Sequence, residues 1–104
     1  IAEVPGVNMN VLRQMIDQLR RKASPAAIML ATKEDDKVSL IAGLTRDLVE
    51  KGNDAVAWIR DAAKHVQGGG GGRPDMAQAG GKDPEKLDDA LNAAFAKIKE
   101  MFGA

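Results

Sequence analysis

The stretch QGGGGGRPDMAQAGG, Gln67 to Gly81, decides how this chain is read. Consecutive glycines run directly into an arginine, and two more close the segment. Two readings of that run are open. A glycine run between two elements is commonly a flexible linker. Alternatively, glycines take up positive φ freely and carry no Cβ, so successive backbone N–H groups can form a cradle for an anion. Connections inside compact domains average about 4–6 residues, which weighs against the linker. On the cradle reading, the amides of Gly68, Gly69, Gly70, Gly71 and Gly72 meet a phosphate, and Arg73 adds a planar, permanently charged fork. Gly80, Gly81 and Lys82 close the same segment. The named phosphate loops are excluded. A P-loop needs Gly-Lys-Ser/Thr where this chain has Arg73 and Pro74, and a dinucleotide fingerprint lies between strand and helix, whereas these glycines follow a helical pattern.

Upstream, Val11, Leu12, Met15, Ile16, Leu19 and Ala23 repeat at helical spacing, with Asn8 or Asn10 as cap and Ser24–Pro25 as stop. The runs AAIMLATKE and VSLIAGLT, joined by DDK, read as a β-hairpin, and its first strand, apolar throughout Ala26–Ala31, should have both faces covered. After a Gly52–Asn53 break, a helix is predicted from about Asp54 to Val66, burying Ala55, Val56, Ile59, Ala62, Ala63 and Val66. Met76–Gly81 reads as a short third strand whose small residues permit close approach. Asp83–Pro84–Glu85 opens a last helix, with Leu87, Leu91, Phe95, Ile98 and Phe102 as its buried stripe and Gly103 as its end. The expected order is αββαβα, an α/β (α+β) fold with a small mixed β-sheet packed by helices.

Composition narrows the function. A chain of 104 residues reads as one domain, residues 1–104, able to bury a small core. With net charge zero, global attraction to nucleic acid or membrane is not indicated. The first third is nevertheless locally basic, through Arg13, Arg20, Arg21, Lys22 and Lys33 against Glu3 and Asp17. There is no cysteine, hence no disulfide or thiolate chemistry, which fits a cytoplasmic origin. No apolar run approaches the roughly 20 residues of a bilayer span, so no membrane partner is expected. An opening Ile1 suggests excision from a longer chain.

The residues GGGGGRPDMAQAGGKDPEKL (Gly68–Leu87) closely resemble the tail of bacterial alanyl-tRNA synthetases (alanine–tRNA ligases). KVSLIAGLTRDLV (Lys37–Val49) and VPGVNMNVLRQMIDQLRRK (Val4–Lys22) do so too, in correct order, and the resemblance covers about Val4 to Leu91. The wider group is that of the DHH-associated domains. Its phosphoesterase members carry a histidine with the glycine loop, where this chain has Arg73, a departure that favours the synthetase branch. The resemblance implies a C-terminal domain that helps hold tRNA(Ala) at its elbow for a parent enzyme that ligates alanine using ATP and Mg and edits with a zinc domain. It also implies the rest of the synthetase chain as partner, with a homodimer in some members. For this fragment it implies no catalytic residue and no cofactor of its own. The alternatives are the substrate-binding half of a DHH phosphoesterase, a free-standing editing hydrolase, or a dimerisation module.

The residues expected to touch RNA are Gly68–Gly72, Arg73, Gly80, Gly81, Lys82, Arg13, Arg20 and Arg21. For the helix arginines the competing reading is a solvated face. His65, the single histidine, reads as a helix-end cation, with RNA contact left open. Trp58 reads as partly buried core, against stacking on a base. The methionines read as packing.

Overall fold

The computed structural model describes residues 1–4, 6–34 and 36–101. Phe102 and Gly103, expected to finish the last helix, lie outside them. The elements are β1 (Ala2–Glu3), α1 (Met9–Lys22), β2 (Ala27–Glu34), β3 (Lys37–Leu44), α2 (Arg46–Glu50), α3 (Ala55–Ala63), β4 (Gly69–Arg73), β5 (Met76–Gly81) and α4 (Leu87–Met101). They form a five-stranded sheet in the order β1-β2-β3-β5-β4. β1 pairs with β2 in parallel, and every other pairing is antiparallel.

Strand alternation builds three layers. Ile28, Leu30 and Ile41 face Leu12 and Ile16 of α1. Met29, Ala31, Val38, Leu40 and Ala42 face the opposite layer, where α3 and α4 supply Ala55, Trp58, Ile59, Ala62, Leu87, Ala90 and Ala94. Successive strand residues point to opposite faces, so a strand covered on both sides reads as an unbroken apolar run. Asn8 caps α1, its Oδ1 accepting from the Val11 amide at 3.0 Å.

The glycine run is neither linker nor cradle loop. Gly69–Arg73 is a β-strand, β4, registered Gly69↔Gly80, Gly70↔Ala79, Gly71↔Gln78 and Arg73↔Met76. The need for glycine is steric. A Cβ on Gly70 would overlap the Gln78 carbonyl oxygen and stand 2.7 Å from Ala79 Cα. Gly72 has φ +151°, and a Cβ there would stand 2.6 Å from the Met76 carbonyl oxygen. A β-branched residue, the usual strand former, cannot stand at either place.

Other expectations shift for identifiable reasons. The helix from Asp54 is α3 only to Ala63, and Lys64–Val66 tightens into a 3-10 turn. Gln67 then takes a left-handed conformation, φ 54°, which turns the chain into β4. Val56 is half-buried rather than buried. Pro84–Lys86 is also a 3-10 turn, and the Asp83 side chain makes no capping bond. Phe95 is 55% exposed instead of buried. Small Ala90 and Ala94 take the inward positions of α4 instead, and Trp58 fills the space against them, its indole N–H donating to the Ala94 carbonyl at 3.0 Å. That burial removes Trp58 as a stacking platform.

Asp47 ties α2 to the start of β2. Its carboxylate accepts from the Thr45 hydroxyl, from Ser24 Oγ at 2.8 Å and from the Leu48 amide at 3.0 Å, while Thr45 Oγ1 accepts from the Ala26 amide at 2.9 Å. These donors, Thr45 first and then Ser24, hold its carboxyl below the ordinary aspartate range.

Two outcomes follow for stability. Gly70→Ala should destabilise the fold by about 1–3 kcal/mol in urea unfolding. Gly69→Ala, where a Cβ meets nothing within 4 Å, should stay within about 0.5 kcal/mol of wild type. Because folding lowers the Asp47 pKa, its contribution is present above the unfolded value, about pH 4, and is lost as pH falls through the folded value. Unfolding followed by circular dichroism from pH 6 to 3 should show a shallower acid loss in Asp47→Asn than in wild type.

Candidate nucleic-acid interface

α1 lies over β2 and β3 and reaches Met76 and Gln78 of β5, leaving the glycines of β4 and Gly80 of β5 open on the same face. The register sets two cross-strand rows there: Ser39–Gly80–Gly69 and Ile41–Gln78–Gly71. Each row ends in glycine at the sheet edge, so the surface beyond α1 is bare backbone. A shallow hollow of about 450 Å³ sits on it, lined by Met9, Ser39, Gly69, Gly70, Gly71, Gln78, Ala79 and Gly80. A second, of about 420 Å³, shares Ser39, Gly69 and Gly80 and continues to Lys37, Val38, Gln67, Gly68, Gly81 and Lys82. Neither is lined by a carboxylate. Lys37 and Lys82 are both exposed at one end of this groove. Arg13 stands on its α1 flank, with Nη2 donating to Gln78 Oε1.

The sequence-predicted residues are thus partly gathered. Gly68–Gly71, Gly80, Gly81, Lys82 and Arg13 surround one groove. Arg73 lies at the far end of β4, 80% exposed, with Nε 3.8 Å from Asp75 Oδ1. Arg20 is committed elsewhere. It pairs with Asp17 at 2.6 Å and Asp75 at 3.6 Å, and donates to the Asp75 carbonyl at 3.1 Å. Arg20 and Arg21 line a larger hollow of about 740 Å³ under the C-terminal end of α1, together with Arg46, Asp17 and Asp75. Two carboxylates on that wall offset two of its three guanidinium groups, so it is a weaker attractor for a polyanion than its size suggests. His65 is exposed on the turn before β4 and lines neither part of the glycine groove.

Four contributors were missed from sequence. Lys37 begins β3 and reaches the groove only because β5 pairs beside that strand. Ser39 and Gln78 read as ordinary strand polar residues until the register places them next to bare glycine. Arg60, on α3, reaches around the sheet edge, and its Nε donates to the Gly70 carbonyl at 2.9 Å. It occupies an outward acceptor on an edge that would otherwise template another strand. Only Lys37 had a signal, its position in the turn-to-strand segment. Among the described residues no group of three His, Cys, Asp or Glu is gathered that could hold a metal ion, and no helix is long and apolar enough to cross a membrane.

The family model of the DHHA1 domain matches residues 1–100. The chain is 53% identical over 104 residues to the alanine–tRNA ligase of Rhodopirellula baltica, covering 99% of this chain and 11% of that protein. It is 53% identical over 100 residues to the Bacillus subtilis alanine–tRNA ligase, covering 96% and 11%. Its fold is similar to the crystal structure of the C-Ala domain from Aquifex aeolicus alanyl-tRNA synthetase, with a TM-score of 0.82, 32% identity, and coverage of 98% of this chain and 87% of that one. The chain therefore spans about a ninth of these curated relatives, and it belongs to the DHHA1 domain family in the form found in alanine–tRNA ligases.

Proposed function

We propose that this domain is the tRNA-binding C-terminal domain of a cytoplasmic alanine–tRNA ligase, holding tRNA(Ala) at its elbow while the rest of the synthetase charges and edits it. The observation that carries this reading is the glycine-floored groove, whose wall is free of carboxylates and whose cations are Lys37, Lys82 and Arg13. Folded RNA without accessible base edges is held through shape, sugar hydroxyls and phosphates. A floor without side chains lets such a backbone come within hydrogen-bond reach of the sheet, and the flanking cations neutralise its phosphates. On this reading ATP, Mg and the editing zinc belong to other parts of the parent chain.

The reading is tested by titrating the domain with a tRNA(Ala) transcript over a range of salt. Affinity should fall as salt rises, and Lys37→Ala with Lys82→Ala should weaken binding about tenfold and flatten the salt slope by about one to two units. Gly69→Ile fills the floor at a place open to solvent. It should weaken RNA binding at least about tenfold while thermal unfolding stays near wild type. Equal competition by an unstructured RNA of the same length would refute elbow recognition.

A second reading, a homodimer paired through α4, rests on Phe95, a large exposed hydrophobic with the Lys99 ammonium 5.4 Å from its ring. Sedimentation at micromolar concentration should then show a dimer that Phe95→Asp dissociates, and a monomer throughout removes the reading.

A further inference from the structure

Beside the same groove, behind Ser39, lies a feature that neither charge nor bare backbone explains. One cross-strand row on the α1 face runs Thr32–Ser39–Gly80–Gly69. Two hydroxyl side chains therefore lead directly onto the glycine floor. Thr32 is 3% exposed, and its Oγ1 is buried with no hydrogen-bond partner among the described residues. Buried polar groups in native proteins are nearly always satisfied, so this hydroxyl keeps an unmet hydrogen-bonding capacity directly beside Ser39. Ser39 stands directly opposite Thr32, is half-buried, and lines both parts of the groove. Opposed residues on one sheet face hold their Cβ atoms about 4.5–5.5 Å apart, so a Ser39 hydroxyl turned by a ligand can take the Thr32 hydroxyl as its second partner. Lys37, two residues earlier on β3, projects from the same face and lines the same hollow.

The ligand chemistry is therefore a hydroxyl next to a phosphate. Ribose in RNA supplies that pair, because its 2′-hydroxyl is both donor and acceptor and neighbours the 3′-phosphate. Deoxyribose supplies the phosphate alone. We infer that Ser39, backed by the buried Thr32 hydroxyl, recognises a ribose 2′-hydroxyl, and that this contact makes the groove select RNA over DNA. The inference rests on the RNA-binding reading above and specifies what the groove discriminates. The glycine floor admits the sugar, Lys37 holds its phosphate, and Ser39 reads the difference between the two polymers.

The test compares a tRNA(Ala) transcript with an all-DNA oligonucleotide of the same sequence, titrated at one fixed salt concentration against wild type, Ser39→Ala, Ser39→Thr and Thr32→Val. Wild type should bind the transcript about five- to tenfold more tightly than the DNA, the scale of one hydrogen bond. Ser39→Ala should bring RNA affinity down to the DNA level with DNA affinity unchanged, and Ser39→Thr should retain the preference. Thr32→Val, a buried near-isostere, should reduce the preference in the same direction and serves if Ser39→Ala fails to fold. Equal binding of both polymers by wild type, or a full preference in Ser39→Ala, overturns the inference and leaves the RNA-binding reading standing. Binding of neither polymer overturns both.

Discussion

Everything distinctive in this domain depends on how closely the backbone of β4 lies to its surroundings. Gly70 leaves no room for a Cβ against Gln78 and Ala79, and Gly72 adopts a backbone conformation that L side chains rarely take. Remove that tolerance and β4 separates from β5. The Ala77–Ala79 face that α3 and α4 pack on then loses its neighbour. The same property, read from the solvent side, makes the surface. Gly69 and Gly71 add no side chain to the face beyond α1, so the sheet edge is available to anything that can approach a bare main chain. One structural requirement and one surface property share a single cause.

An edge strand of glycine is also a hazard, since unshielded backbone groups invite another strand. Arg60 answers it from the opposite layer by donating to the Gly70 carbonyl. On the α1 side, Arg13 holds Gln78. Two guanidinium groups from different helices thus bracket β4 and β5, one acting on the main chain and one on a side chain. Charge is divided with similar economy. Arg20 is drawn into Asp17 and Asp75 at the β4–β5 turn, where it stitches α1 to the hairpin. Lys37 and Lys82 remain exposed at the other end. A chain with no net charge therefore still presents one cationic groove.

Much of this architecture is legible without coordinates. The α1 helix, the β2–β3 hairpin and the strand at Met76–Gly81 follow from apolar periodicity, because period 3.6 and period 2 are local properties of the chain, whereas Val11 and Leu19 of the expected α1 stripe are exposed. The DHHA1 resemblance follows from the Gly68–Leu87 motif. The candidate groove was half visible: Gly68–Gly71, Gly80, Gly81, Lys82 and Arg13 meet around it, while Arg20 does not. Lys37 and Ser39 were hidden since their role comes from β5 pairing beside β3, a contact between segments some forty residues apart. Phe95 shows the converse. Its spacing fits the stripe, yet the small Ala90 and Ala94 let α4 approach Trp58, and the helix turns a different face inward.

What the amino-acid order settled by itself is therefore the set of elements with a strong local period, and the family. What only tertiary structure decided is the role of those glycines. Five of them in a row carry no hydrophobic signal and no strand propensity, so nothing local distinguishes a linker, a loop and a strand. The choice is made by β5, whose own small residues present a paired edge, and by α3, which delivers Arg60 to it. A segment without side chains takes its conformation from the neighbours whose hydrogen bonds it completes, and those neighbours exist only once the sheet has formed.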